Sequence, residues 1–322
     1  MPAAKRPRQA LKIAAVLTLL LIAFAIPALA NNYWLRVLTS IAMFAIITQG
    51  LNIIVGFTGY HAFGNSVFFG IGAYACGMMM NAGLPFLVAV AGGAIVASLI
   101  SIMFGWPLLR LKGHYFAIAT VALNMAVLEL IINVGGRTGG AQGLPLPMTD
   151  LAPTLLYVWI YYTMIGILFV ATLTVWWLSN SSFGFALRSL RDNEAGAEVM
   201  GINTTAMKTL AWALSAAFTG AAGAVWSYQM NFIEPASAFD ISISLKGYIM
   251  MLIGGMGTIF GPLLGAGFLE LLSTILWSNL QTGHLLVLGL LIVIVVYTMP
   301  KGIVELSTRL LRRDETDRSP RT

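Results

Sequence analysis

LPFLVAVAGGAIVASLISIMFG, residues 84–105, carries no charged side chain. As a helix rising about 1.5 Å per residue it can cross a hydrocarbon layer roughly 30 Å thick with its backbone hydrogen bonds closed internally. Comparable apolar stretches recur on both sides of it, at residues 13–30, 37–55, 62–80, 115–133, 155–178, 209–230, 245–257, 259–276 and 285–299. The sequence therefore predicts an all-α fold, a polytopic transmembrane helical bundle with about ten spans, some of them short or glycine-interrupted. The 245–257 piece is too short to cross alone. It reads either as completed by its neighbours or as half of a broken helix lining a cavity.

Composition agrees with this reading. Of the 322 residues, 58% are hydrophobic and 9% charged, whereas a soluble domain carries about 25% charged residues. The formal net charge of +6 does not point to nucleic acid, because the basic residues sit at span ends without interleaved aromatics, a pattern suited to anionic lipid. Cys76, the single cysteine, excludes an internal disulfide or a cysteine-based metal site. Lys5, Arg6, Arg8 and Lys12 precede the run from Ile13, which reads as an uncleaved first span. Ala28-Leu29-Ala30 keeps signal-peptide cleavage open as the other reading.

With the N-terminus placed in the cytoplasm and the spans alternating, fifteen of the eighteen basic residues fall on the cytoplasmic side; only Arg36, Arg137 and Lys246 do not. This divides the chain into a basic N-terminus (1–12), a transmembrane domain (13–300) with a cytoplasmic loop at 179–208 inside it, and a basic tail (301–322). Both termini are then cytoplasmic.

Two regions are rich in glycine: GFTGYHAFGNSVFFGIGAY at 56–74 and GGMGTIFGPLLGAG at 254–267. Glycine permits close backbone approach and non-helical conformations, so Gly56, Gly59, Gly64, Gly254, Gly255 and Gly257 are candidates either for a broken helix along a pathway or for ordinary close packing. The matching spacing of Gly56, Gly59, Gly64 and Gly70 with Gly254, Gly257, Gly261 and Gly265 raises an internal repeat as one reading and chance as the other. Glu129 and Glu270 lie within spans, where a carboxylate needs a partner, and join the pathway or packing candidates. Lys246 reads as an outer anchor that snorkels. His61 and His114 stand at boundaries with no metal-ligand companion in the sequence.

The outer loop GGRTGGAQGLPLP, 135–147, places Thr138, Gly139, Gly140 and Gly143 in a structured lip or a flexible connection. On the cytoplasmic side, NSSFGFALRSLRDNEAGAEVMGINTTAMK at 180–208 predicts a short amphipathic helix with Asn193 as N-cap, Glu194 in its first turn and Gly201 ending it. Arg188, Arg191, Glu194 and Gly201 are the candidate residues of a docking knob for a partner, with a solvated connection as the other reading. A G-x-x-x-x-G-K-[ST] phosphate loop is absent from the sequence, so the chain has no recognisable ATP-binding element of its own. The chain offers no catalytic residue, no metal site and no cofactor site of its own.

These loops resemble the M-type permease subunit family of branched-chain amino acid ATP-binding-cassette importers. The resemblance rests on LNIIVGFTGYHAFGNSVFFGIGAY (51–74), LRLKGHYFAIAT (109–120), TGGAQGL (138–144), SFGFALRSLRDNEAGAEVMGIN (182–203), FTGAAGA (218–224), IGGMGTIFGPLLGA (253–266) and MPKGI (299–303). It implies a multi-pass protein of the bacterial inner membrane. The expected partners are a homologous second permease subunit, two cytoplasmic ATP-binding subunits and a periplasmic substrate-binding protein. The substrate would be a branched-chain or similar hydrophobic amino acid; urea, short amides and carboxylic acids are the alternatives, and an ion-coupled secondary transporter is the competing class. Gly201 follows Glu194 by seven positions and Gly196 takes the third, a departure from the general coupling signature of importer permeases.

Overall fold

A computed structural model describes residues 31–147 and 152–279, together with Pro27, Gly289, Leu290 and Val293. The expected spans 13–30 and 285–299 fall almost entirely outside these residues. Helix α1 (Asn32–Leu51) starts at Asn31, whose side chain accepts from the Trp34 amide at 3.1 Å, and runs into a π-helical turn, Asn52–Gly56. It is followed by α2 (Ser66–Asn81), α3 (Phe86–Leu108), α4 (His114–Val134) and α5 (Pro153–Asn180). The remaining helices are α6 (Ser182–Asp192), α7 (Glu194–Val199), α8 (Thr204–Met230), α9 (Pro235–Ala238), α10 (Ile241–Gly254) and α11 (Gly261–Asn279).

Six helical segments among the described residues are long and apolar enough to cross a membrane. The protein is thus an all-α polytopic membrane bundle, and two of the expected spans are built differently from the expectation. The 245–257 piece is joined upstream by α9, so that Pro235–Gly254 reaches 20 residues. The 62–80 stretch, by contrast, is helical only from Ser66, and the chain before it is unwound.

Packing places α1 and α8 at the centre. α8 lies against α2 and α3 through small residues: a β-carbon at Gly72 would stand 2.1 Å from the Gly220 carbonyl oxygen, and one at Gly223 2.0 Å from that of Phe69. With lipid tails as apolar as leucine, such backbone contact is what holds helices together in a membrane. α1 is enclosed by α5, α8, α10 and α11. α4 stands apart, with only Phe116, Ala117, Thr120 and Asn124 buried.

Exposed aromatics mark two levels. Tyr33, Trp34 and Trp159 ring one end, and Trp106, Tyr115, Trp176 and Trp177 the other, as amphipathic rings do at membrane interfaces. At the first end a two-residue antiparallel ribbon pairs β1 (Leu144–Pro145) with β2 (Phe232–Ile233), Leu144 opposite Ile233. Asn81 adds a 3.0 Å bond to the Pro145 carbonyl, and the Leu146 amide one to Asn231. The Leu144–Leu146 part of the outer loop is thus tied to α2 and to the chain after α8.

Candidate coupling site

At the opposite end α6 and α7 form one rigid elbow. Ser181 caps α6 by accepting from the Gly184 amide, and the buried Gly184, Leu187 and Leu190 seat the helix on the bundle. Asn193 then serves two helices. Its amide closes α6 on the Ser189 carbonyl, and its side chain accepts from the Gly196 amide to start α7. Gly201, at φ +85°, ends α7, its amide on the Glu198 carbonyl and that of Ile202 on Ala197. Asn203 caps α8 through the Ala206 amide.

The elbow is tied into the bundle at two points. Arg191, in the last turn of α6 where a cation is favoured, donates from Nη1 to the Gly56 carbonyl at 2.7 Å. It also lies against the other glycine-rich segment, since a β-carbon built at Gly257 would stand 3.2 Å from the same Nη1. The two segments are stitched directly by Asn52: its amide nitrogen donates to the Thr258 carbonyl at 2.9 Å and its oxygen accepts from the Gly257 amide at 2.8 Å. Gln49 donates to the Ile259 carbonyl at 2.9 Å. Arg188 stays closer to home, donating to the Ser179 and Gly184 carbonyls with its guanidinium over the Phe57 ring.

The second point is Glu194. One carboxylate oxygen accepts from Lys208 Nζ at 2.8 Å and the other from the Tyr60 hydroxyl at 2.5 Å, while the same ammonium donates to Tyr60 Oη (3.0 Å) and the Leu109 carbonyl (3.1 Å). Lys208 is only 2% exposed. Burial works to raise the Glu194 carboxyl. The hydrogen bonds from Lys208 and Tyr60, with the charges of Lys208 and Lys112, outweigh it and hold the carboxyl below its ordinary value. Burial first, then the bond to Glu194 and its charge, push the Tyr60 phenol well above its ordinary value, so Tyr60 stays protonated and donates.

Tyr60 lies in the unwound stretch that precedes α2, and polar groups of this stretch find partners within the bundle. The Gly64 amide donates to Thr120 Oγ1, and Asn65 binds Ser215, Thr219 and the Trp212 indole. Ser66 bonds Asn124, which holds the Phe239 carbonyl at 2.7 Å.

The structure thus gathers Gly56, Gly59, Gly257, Arg191 and Glu194 at one end. Gly59 abuts Arg191, Gly64 packs on the Thr120 carbonyl, and Gly254 and Gly255 form the tight turn into α11. Thr138, Gly139, Gly140 and Gly143 lie in the 135–147 loop at the opposite end. Glu270 is separate again: it pairs with Lys246 at 2.5 Å and accepts from Ser40 at 2.7 Å. Lys246 is therefore an ion-pair partner lying over the Phe44 ring, where the sequence reading had it snorkelling to the outer surface. Tyr60, Lys208, Asn52 and Gln49 were missed as site residues. The two amides had a visible signal, being polar side chains at the end of an otherwise apolar span. Tyr60 and Lys208 had none, because their meeting depends on tertiary contact.

A family model described as branched-chain amino acid transport system / permease component matches residues 33–296. Among curated proteins, the chain is 26% identical to the high-affinity branched-chain amino acid transport system permease protein LivM of Salmonella typhimurium and to that of Escherichia coli. Each alignment covers 92% of this chain and 76% of the relative. It is also 27% identical to the autoinducer 2 import system permease protein LsrC of Yersinia pseudotuberculosis, over 69% of this chain and 66% of that protein. No solved structure matches the chain significantly.

Proposed function

The chain belongs to the family of branched-chain amino acid transport system permease components, and from that premise we propose how its geometry serves ATP-driven import. The α6–α7 elbow faces the cytoplasm, as the bias of basic residues supports, and receives the movement of ATP-binding subunits. The observation that carries the proposal is the double attachment of this elbow: Arg191 to Gly56 and Gly257, and Glu194 to Tyr60 and Lys208. A displacement of the elbow pulls on the π turn after α1, the turn after α10 and the unwound entry to α2 together. These are backbone breaks, which absorb rotation more readily than a continuous helix does.

The partners follow from the same reading: a second permease subunit sharing the pathway, two ATP-binding subunits and a substrate-binding protein outside. Val199 and Met200, 89% and 83% exposed at the tip of the elbow, are the apolar contact for the ATPase. Glu194 does not serve there, because its carboxylate is already held by Lys208 and Tyr60. The substrate proposed is a branched-chain or similar hydrophobic amino acid, in line with the LivM relatives. A proton- or sodium-coupled carrier is disfavoured because Glu270, one of the two carboxylates it would use, is matched by Lys246.

Reconstitution tests this reading. Vesicles holding the chain with its permease and ATPase partners, supplied with the binding protein, are expected to take up leucine only with ATP inside, and Met200→Glu is expected to lower ATPase copurification and uptake about tenfold or more, the factor that follows from about 1.4 kcal/mol of lost interface. Uptake by this chain alone, driven by an ion gradient, would reject the proposal.

A further inference from the structure

α10 and α11 form a hairpin around the Gly255–Gly257 turn, and this hairpin is fastened to α1 at two levels. At the inner level Gln49 and Asn52 hold the backbone of Gly257, Thr258 and Ile259. The outer level is polar as well. Through Oε1, Glu270 of α11 accepts from Ser40 of α1 at 2.7 Å, and through Oε2 it meets Lys246 of α10 at 2.5 Å, with the ammonium over the Phe44 ring of α1. Glu129, the other carboxylate within a span, bonds Asn133 one turn on in its own helix; Glu270 joins three helices. Ser40 and Asn52 are twelve residues apart, which sets the two levels about 18 Å from each other along α1.

Close packing joins the same three helices between the levels. A β-carbon at Gly247 would stand 3.1 Å from the Ile47 and Leu51 side chains, and one at Gly265 1.9 Å from the Met250 carbonyl oxygen. Outward of Glu270 this packing ends: residues 271–276 of α11 are exposed or half-buried, as are 241–243 of α10. The ion pair therefore sits at the outer limit of the packed hairpin. Two charges withdrawn from water repay their desolvation only in good geometry, and an apolar pair of similar volume often holds as firmly. What opposite charges add is one preferred register between the helices that carry them.

We propose that Lys246 and Glu270 are positioning residues for transport: they lock the outer part of the α10–α11 hairpin to α1, so that the three helices move as one unit when the elbow acts on them. The proposal rests on the import reading above and adds how movement at the elbow reaches the far half of the bundle. Gly56 and Gly257, the two points that Arg191 reaches, both belong to the inner level. Held at that level alone, the hairpin could pivot on its turn, and a pull there would splay its outer ends away from α1. The second fastening, one carboxylate shared by Ser40 and Lys246, removes that freedom.

Leucine uptake per ATP hydrolysed, measured on the reconstituted transporter in a Cys76→Ala background, tests it. Lys246→Met leaves Glu270 Oε2 without its partner and is expected to lower this ratio severalfold while binding-protein-stimulated hydrolysis persists. Lys246→Glu combined with Glu270→Lys restores opposite charges at the two positions and should recover most of the ratio, which a purely space-filling role would not. Lys246→Cys with Glu270→Cys should transport better once a short bifunctional methanethiosulfonate bridges the two thiols, because the proposal keeps these positions together throughout the cycle. Uptake stopped by the bridge would show that the pair parts during transport and would overturn the proposal, as would a wild-type ratio in Lys246→Met. Should Lys246→Met fail to assemble, the bridged pair decides by the same two outcomes. Either overturning result in vesicles that still show ATP-dependent leucine uptake in the Cys76→Ala parent leaves the import reading standing; absence of that uptake in the parent is a failure of the import reading instead.

Discussion

Glu194→Gln is expected to lower uptake by more than about tenfold without changing membrane insertion. The substitution leaves the Lys208 ammonium, 2% exposed, with only the Tyr60 hydroxyl and the Leu109 carbonyl as partners. Removing one member of a buried pair costs about 3–5 kcal/mol because the other charge stays buried, and at this site the loss falls on the docking of α7. Adding Lys208→Met to Glu194→Gln removes the stranded charge, and most of the lost uptake should return. A double-mutant cycle on uptake and on copurified ATPase measures the coupling; additive losses would show that the pair does not act as a unit. The sign with pH follows from the lowered carboxyl. The attachment is complete above the ordinary carboxylate range and is lost as pH falls through the depressed folded value of Glu194.

Gly257→Leu is the second large effect. Gly257 has φ +74°, a left-handed conformation that costs a side-chain-bearing residue roughly 1–2 kcal/mol. A β-carbon there would also stand 3.2 Å from both Arg191 Nη1 and the Gly56 carbonyl oxygen, so a branched side chain would part the two breaks and dislodge the arginine. Overpacking of this kind adds about 1–3 kcal/mol. Uptake should be abolished, whereas Val293→Leu, at a side chain 66% exposed, should transport normally. Gly257→Asn separates the two causes: asparagine tolerates the left-handed region, so any remaining loss reports crowding alone. Equal uptake by all three variants would show that the approach of the two breaks is not needed.

Much of this architecture could be read from the chain. Long uncharged runs such as 84–105 identify spanning helices because a bilayer leaves the backbone no other economical way to satisfy its hydrogen bonds. The Asn193 cap and the Gly201 stop of α7 were equally legible, since a capping side chain and a left-handed terminator act within a few residues. Span boundaries were less so. The 62–80 run is uncharged throughout, yet its first turn is unwound because Asn65 and Ser66 find partners on α4, α8 and α10, and no local pattern announces partners that distant. Glu194 illustrates the same limit at the site. Its place in a first turn was evident, but its bonds to Tyr60 and Lys208 join residues far apart in the chain and left no local mark.

The most direct test of that fastening is the ratio of leucine uptake to ATP hydrolysis in the reconstituted transporter carrying Arg191→Ala. The guanidinium reaches both glycine-rich breaks from the elbow, and alanine removes that contact while leaving Val199, Met200 and the caps of α7 in place. The account predicts that ATPase copurification and binding-protein-stimulated hydrolysis persist while uptake falls by about tenfold or more, with Arg191→Lys in between because an ammonium can reach the Gly56 carbonyl without spanning to Gly257. Uptake and hydrolysis that keep their wild-type ratio in Arg191→Ala would contradict it.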